Sequence, residues 1–254
     1  MTRAAARRGI PAPRAWSRAE LALAAALLAL AGAAWLITGF AAMPDMGAGI
    51  LTGAPAMSAM PLFLLIWPVM MAAMMLPAST PFTIGVRRLA AARHARRGTV
   101  AALTAGYLVV WSATGVPAYA VLRGFDAIAM RGEAVSARVG AVVLICAGAY
   151  QFTPLKRWCL ARCRSPLALL VRHGDTALRS RAGALRVGMR HGGYCLGCCW
   201  ALTVVLLAAG AMNLVWMAVL AALIGLEKAA PRGEAIGFAL GVAAIGLGVF
   251  LLAW

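Results

Sequence analysis

Charge is scarce in this sequence. Only 12% of its 254 residues are Asp, Glu, Lys or Arg, while 63% are hydrophobic. That balance excludes a soluble domain, because several apolar stretches reach the length needed to cross a bilayer. The short alternating segments of a β-barrel are missing too. So are Gly-x4-Gly-Lys-Ser/Thr, His-Glu-x2-His and Gly-x-Ser-x-Gly, and neither Ser79-Thr80 nor Ser165 has an evident histidine partner. Nothing supports a soluble enzyme. Six cysteines are too few for a disulfide scaffold in a chain of this size.

What is present reads as an all-α, polytopic transmembrane helical bundle. The apolar runs predict about seven spans, at 21–42, 62–78, 99–122, 139–153, 194–211, 214–226 and 235–254. Residues 1–19 form a basic tail, and 20–254 form one transmembrane domain. The first apolar run is longer than the core of a signal peptide, so it reads as a retained span. Pro68 implies a kink in the second span, tolerable where neighbouring helices cover the freed carbonyl. Thr153-Pro154 reads as an N-cap and first-turn proline opening a new helix. Residues 155–193 are the longest polar stretch. They predict two or three short amphipathic helices in the headgroup region, opened at Thr153-Pro154 and Ser165-Pro166, with arginines turned to lipid phosphates.

The net charge of +17 invites a nucleic-acid reading, but the distribution of the charges removes it. With the N-terminus inside, 21 of the 24 Lys and Arg fall on the inner side; Arg123, Arg131 and Arg138 are the remainder. That is the positive-inside asymmetry of a multi-pass protein of a bacterial inner membrane, N-terminus cytoplasmic and C-terminus periplasmic. The anionic partner is the lipid headgroup layer, not nucleic acid.

The chemistry collects in Cys195-Leu196-Gly197-Cys198-Cys199, where a basic segment turns apolar. Cys195 and Cys199 lie one helical turn apart with Cys198 beside them. Cys159 and Cys163, also one turn apart, follow the fourth span. Five thiols are thus expected at one membrane level, on two arms of one connecting segment. In a reducing cytoplasm thiolate–metal bonds are favoured over disulfides, and the surrounding arginines are expected to lower the thiol pKa values. Cys146, alone in mid-span, reads as structural.

Further candidate ligands are weaker. His191 and His173 share the basic segment, though a histidine among arginines is usually solvated. Glu227, beside Lys228 at the end of the sixth span, reads equally as a fourth ligand or as a boundary residue. Met70, Met71, Met74 and Met75 set two thioether pairs along the second span, and Met43/Met46 and Met57/Met60 add two outside it. Methionine is ordinary packing filler, but thioethers are good ligands for Cu(I) and poor ones for hard ions. The order from outer methionines through a kinked helix to inner thiols suits a soft cation. Cu(I) is favoured, with Zn(II) the alternative. The glycines of the tail, at Gly-x3-Gly spacing, suit close helix packing.

Four blocks in one order carry a family resemblance: Trp67-Pro68-Val69-Met70-Met71-Ala72-Ala73-Met74-Met75-Leu76-Pro77; Tyr150-Gln151-Phe152-Thr153-Pro154-Leu155-Lys156 with Cys159 and Cys163-Arg164-Ser165-Pro166; Gly193-Tyr194-Cys195-Leu196-Gly197-Cys198-Cys199-Trp200; and Met212-Asn213-Leu214 with Glu227-Lys228. Across residues 60–235 the chain resembles a bacterial family of predicted metal-binding integral membrane proteins. The resemblance implies a polytopic inner-membrane protein. Together these readings predict handling or transport of a soft metal by Cys159, Cys163, Cys195, Cys198 and Cys199. The competing readings are a membrane thiol–disulfide oxidoreductase using Cys195 and Cys198, and a structural or assembly partner of another membrane protein. Self-association is left open.

Overall fold

The computed structural model describes residues 16–41, 60–164, 173, 175–210 and 213–253. Met43, Met46, Met57, Met212 and the Ser165-Pro166 cap lie outside the described residues, as does most of the basic tail. The described elements are all helical: α1 (Arg18–Ala41), α2 (Met60–Ala92), α3 (Thr99–Ala113), α4 (Gly115–Ala129), α5 (Glu133–Gln151), α6 (Pro154–Arg164), α7 (Arg181–Gly210), α8 (Leu214–Ala229) and α9 (Gly233–Ala253). Among the described residues there is no strand.

Six stretches are long and apolar enough to cross a membrane: α1, α2, α3 with α4, α5, α7 and α9. The predicted sixth span falls on α8, which has 16 residues. At 1.5 Å per residue it covers about 24 Å, short of a hydrocarbon core of about 30 Å. Asn213 starts it, its Oδ1 accepting from the Val215 and Trp216 amides at 3.0 and 3.2 Å.

Three boundaries differ from expectation, each for a local reason. The second span was predicted to stop near Ala78, yet α2 runs on to Ala92 through Pro68, Pro77 and Pro81. Hydroxyls serve the carbonyls of this proline-rich stretch: Ser79 and Thr80 both donate to the Leu76 carbonyl at 3.0 Å, and Thr83 to that of Ser79 at 3.1 Å. The third span divides at Thr114. The indole of Trp67 occupies the break, its Nε1 donating to the Trp111 carbonyl at 3.0 Å and to Thr114 Oγ1 at 3.1 Å. Lastly, residues 181–193 do not form a separate headgroup helix. They are the first three turns of α7.

That extension has a packing cause. Gly188 is seated so that a Cβ there would overlap the Leu103 carbonyl oxygen, and one on Gly106 would overlap that of Leu185. Backbones of α3 and α7 therefore touch along glycines, which here permit close approach rather than end a helix. The tail glycines do the same on α5, with a Cβ at Gly248 falling 2.7 Å from the Ala141 carbonyl oxygen. At the basic end of the bundle, Ser17 and Glu20 form a reciprocal capping box for α1. The Glu20 carboxylate then takes both Nε (2.7 Å) and Nη2 (3.2 Å) of Arg88, joining α1 to α2. The Thr153-Pro154 expectation holds: α6 begins at Pro154, and Thr153 Oγ1 accepts from the Lys156 amide at 3.3 Å.

Gly188→Val should cost about 1–3 kcal/mol or more, because the overpacked contact is backbone on backbone. Gly246→Ala, whose Cβ would meet open space, should stay within about 0.5 kcal/mol of the parent. Thermal unfolding in detergent would compare the two.

Candidate functional site

Four positions of α6 face inward, Lys156, Cys159, Leu160 and Cys163. Their i, i+3, i+4, i+7 spacing is one stripe of a helix. On α7 the corresponding stripe carries His191, Cys195, Cys198, Cys199 and Leu202, all buried. Packing stripe on stripe puts all five candidate thiols in one core cluster, together with Met70, Met71, Met74 and Met75 of α2. Cys146, by contrast, is exposed on α5.

Within the cluster Cys198 Sγ lies 3.9 Å from Cys163 Sγ. Cys198 and Cys199 also turn their thiols back to the Cys195 carbonyl, at 3.1 and 2.8 Å. Cys159 sits over Gly197, where even a methyl group would come within 2.6 Å of its sulfur. The glycine inside Cys-Leu-Gly-Cys-Cys is thus the space that Cys159 occupies. Cys195 has two polar neighbours besides thiols: Lys228 Nζ donates to its sulfur at 2.9 Å, and the Tyr107 hydroxyl lies 3.0 Å away. The same hydroxyl donates to the Met75 carbonyl at 3.3 Å, so the methionine helix and the thiols meet at one level. No set of three or more His, Cys, Asp or Glu side chains among the described residues is already arranged around a common point for a metal ion.

The arginines do not act as expected. Arg162 stacks on Trp158, its guanidinium 3.5 Å from the ring centroid, and Arg164 donates to the Ala230 and Pro231 carbonyls. Neither guanidinium has a described hydrogen bond to a thiol. Burial pushes the Cys159 thiol above its ordinary range, reinforced by Cys198 and only partly opposed by Arg162. Cys163 is pushed well up by its neighbours Cys195 and Cys198, and then by burial. Lys228 is instead the cation at the thiols.

Glu227 does not turn to the cysteines. Both its oxygens accept from Lys156 Nζ, at 2.7 and 2.9 Å, and Gln151 Oε1 accepts from the same ammonium. The pair is almost wholly buried. Adjacent positions on a helix point apart, so Glu227 grips α6 while Lys228 reaches α7. His191 is buried and stacked 3.9 Å from the Phe82 ring, with Nδ1 making no hydrogen bond. His173 lies against Arg190 instead. Tyr150, at the end of α5, donates to the Gly197 carbonyl.

Residues 64–251 match the family model PpoB2, described as a copper chaperone. The chain belongs to this copper-chaperone family. The match is to a metal-related family, as the resemblance implied, but one described by copper chaperoning and not by the label of predicted metal-binding integral membrane proteins. No curated protein and no solved structure matches. Lys228, Lys156, Tyr107 and Gly197 join the cysteine cluster without standing out as candidates in the sequence. For Lys228 a signal existed: a lysine next to Glu227 at the end of an apolar run, where adjacent helix positions point apart and need separate partners.

Lys156→Met leaves the Glu227 carboxylate buried without its cation, and should cost about 3–5 kcal/mol. Lys156→Met with Glu227→Leu should recover most of the loss. The comparison is a thermal-unfolding double-mutant cycle.

Proposed function

We propose that this protein is an integral membrane copper chaperone whose cargo, Cu(I), is held by a pair of thiolates drawn from Cys159, Cys163, Cys195, Cys198 and Cys199. The single observation behind this reading is the meeting of two cysteine stripes from separate helices in one buried cluster, within a chain of the copper-chaperone family. The donor set is entirely soft: thiols from α6 and α7 and thioethers from α2, which suits Cu(I). Met70, Met71, Met74 and Met75 serve as secondary donors along which the ion is passed.

Charge favours Cu(I) over Zn(II). Two thiolates on Cu(I) leave one net negative charge, and a buried anion needs a partner. Lys228, already on Cys195, supplies that one charge, whereas Lys156 is taken by Glu227. A four-thiolate Zn(II) site would carry twice the charge and needs a closed tetrahedron. Because the thiols do not yet share one point, copper would draw Cys163 and Cys198 together and Lys228 would withdraw from the sulfur as the metal–thiolate bond forms. Copper stays monovalent throughout. The positive-inside rule supports an anionic inner leaflet at this end of the bundle and a cytoplasmic N-terminus. Glu227 and His191 are not assigned as ligands: the first is the counter-ion of Lys156, the second packs on Phe82.

A second reading has one observation in its favour. Cys163 and Cys198 face each other across two helices at 3.9 Å, so thiol–disulfide chemistry would use this pair rather than Cys195 with Cys198.

Anaerobically purified protein should retain Cu(I) against a chromophoric chelator, and Cys195/Cys198/Cys199→Ser should abolish retention. Lys228→Met should weaken it by about tenfold, or 1.4 kcal/mol. Met70/Met71/Met74/Met75→Leu should slow transfer. A protein that holds no copper but cycles Cys163–Cys198 between thiol and disulfide would favour the second reading.

A further inference from the structure

Beside the thiol cluster a cavity of about 430 Å³ runs along α2, bounded on its other sides by α1, α6 and α8. Its size is that of a small-molecule site. It reaches from Trp35 and Ala73 to Arg164 and Ala229, at the end of the bundle where the basic residues lie. Of the five clustered thiols Cys163 alone lines it, and of the four buried α2 methionines Met74 alone does so. Among the described residues two cations, Arg164 and Lys228, stand in its wall and no carboxylate does. Cys163 in turn leads to Cys198 at 3.9 Å, and Lys228 leads to Cys195 at 2.9 Å. The cavity therefore connects with the buried site at two points, one sulfur and one ammonium.

A bare cuprous ion would meet two positive charges there and no negative one. A Cu(I) bis-thiolate complex carries a net negative charge, and the same wall attracts it. We infer that this cavity is the loading site of the chaperone, and that copper enters it as an anionic Cu(I) complex of a small thiol, held by Arg164 and Lys228 while Cys163 and Met74 make the first protein bonds to the metal. The inference rests on the copper reading above and adds the form in which the cargo arrives.

The exchange balances without an oxidant. The Cys163 sulfur bonds to copper as one donor thiolate leaves, and the thiol proton of Cys163 goes to that departing sulfur, which exits as a thiol. Met74 supports the copper from the other side. Cys198 then displaces the second donor thiolate in the same way. Copper remains Cu(I) at each stage.

The test is loading of the full protein in detergent without oxygen, from two donors: the Cu(I) bis-complex of cysteine, which is anionic, and Cu(I) acetonitrile, which is cationic. Gly225 lines the cavity and a Cβ there meets open space; Gly225→Phe fills the cavity and should slow loading from the cysteine complex by about tenfold or more. Gly32→Phe, outside the cavity, is the bulk control. Arg164→Gln should slow loading from the anionic donor roughly tenfold more than loading from the cationic donor. In the wild-type protein, brief N-ethylmaleimide treatment should modify Cys163 before Cys159, Cys195, Cys198 or Cys199, a readout that needs no variant to fold. Wild-type loading rates in Gly225→Phe, or equal labelling of all five thiols, would overturn the cavity as the route. Equal slowing of both donors by Arg164→Gln, or slowing of neither, would overturn the anionic complex. Failure of the wild type to hold copper from either donor would instead refute the copper reading itself.

Discussion

A lysine and a glutamate buried together hold the site in register. Lys156 stands in the first turn of α6 and Glu227 in the last turn of α8, with Gln151 of α5 on the same ammonium. In an apolar interior neither charge is tolerable alone, and so the pair cannot separate without a large desolvation loss. Arg164 fastens the other end of α6 to the Ala230 and Pro231 carbonyls, at the α8–α9 corner. Cys159 and Cys163 lie between these two attachments. The short helix that carries two of the five clustered thiols is therefore fixed by polar contacts at both ends, and its thiol face meets α7.

Close backbone packing does the complementary work on α7. The glycine contacts with α3 bring the helices near enough for Tyr107 to touch Cys195 and the Met75 carbonyl together. Three helices thus deliver sulfur to one level: α2 its thioethers, α6 and α7 their thiols. A soft monovalent cation is the cargo this suits. Among the described residues no free carboxylate stands at the thiols, since Glu227 is already neutralised by Lys156, and hard divalent ions find no oxygen cage there.

Much of this was legible in the sequence because it is written locally. Apolar length marked the spans, Thr153-Pro154 marked the opening of α6, and four-residue spacing put each cysteine pair on one face. The failures share a cause. Pro77 and Pro81 looked like an end of α2, but hydroxyls of Ser79, Thr80 and Thr83 serve nearby carbonyls within the helix. Residues 181–193 looked like part of a set of short headgroup helices, but close packing at Gly183, Gly188 and Gly192 accompanies one continuous helix through them. The arginines looked like activators of thiols, but an indole ring and helix-end carbonyls hold them.

The sequence by itself determined the helical class and which residue types could bind a soft metal, since periodicity and composition act over a few turns. Tertiary structure alone decided which cation serves which anion. Glu227 and Lys228 are neighbours in the chain, yet the helix turns them about 100° apart, one toward Lys156 and the other toward Cys195. Which partner each met depended on how α6, α7 and α8 pack, and packing joins residues 33 and 71 positions apart. No local pattern carries that information.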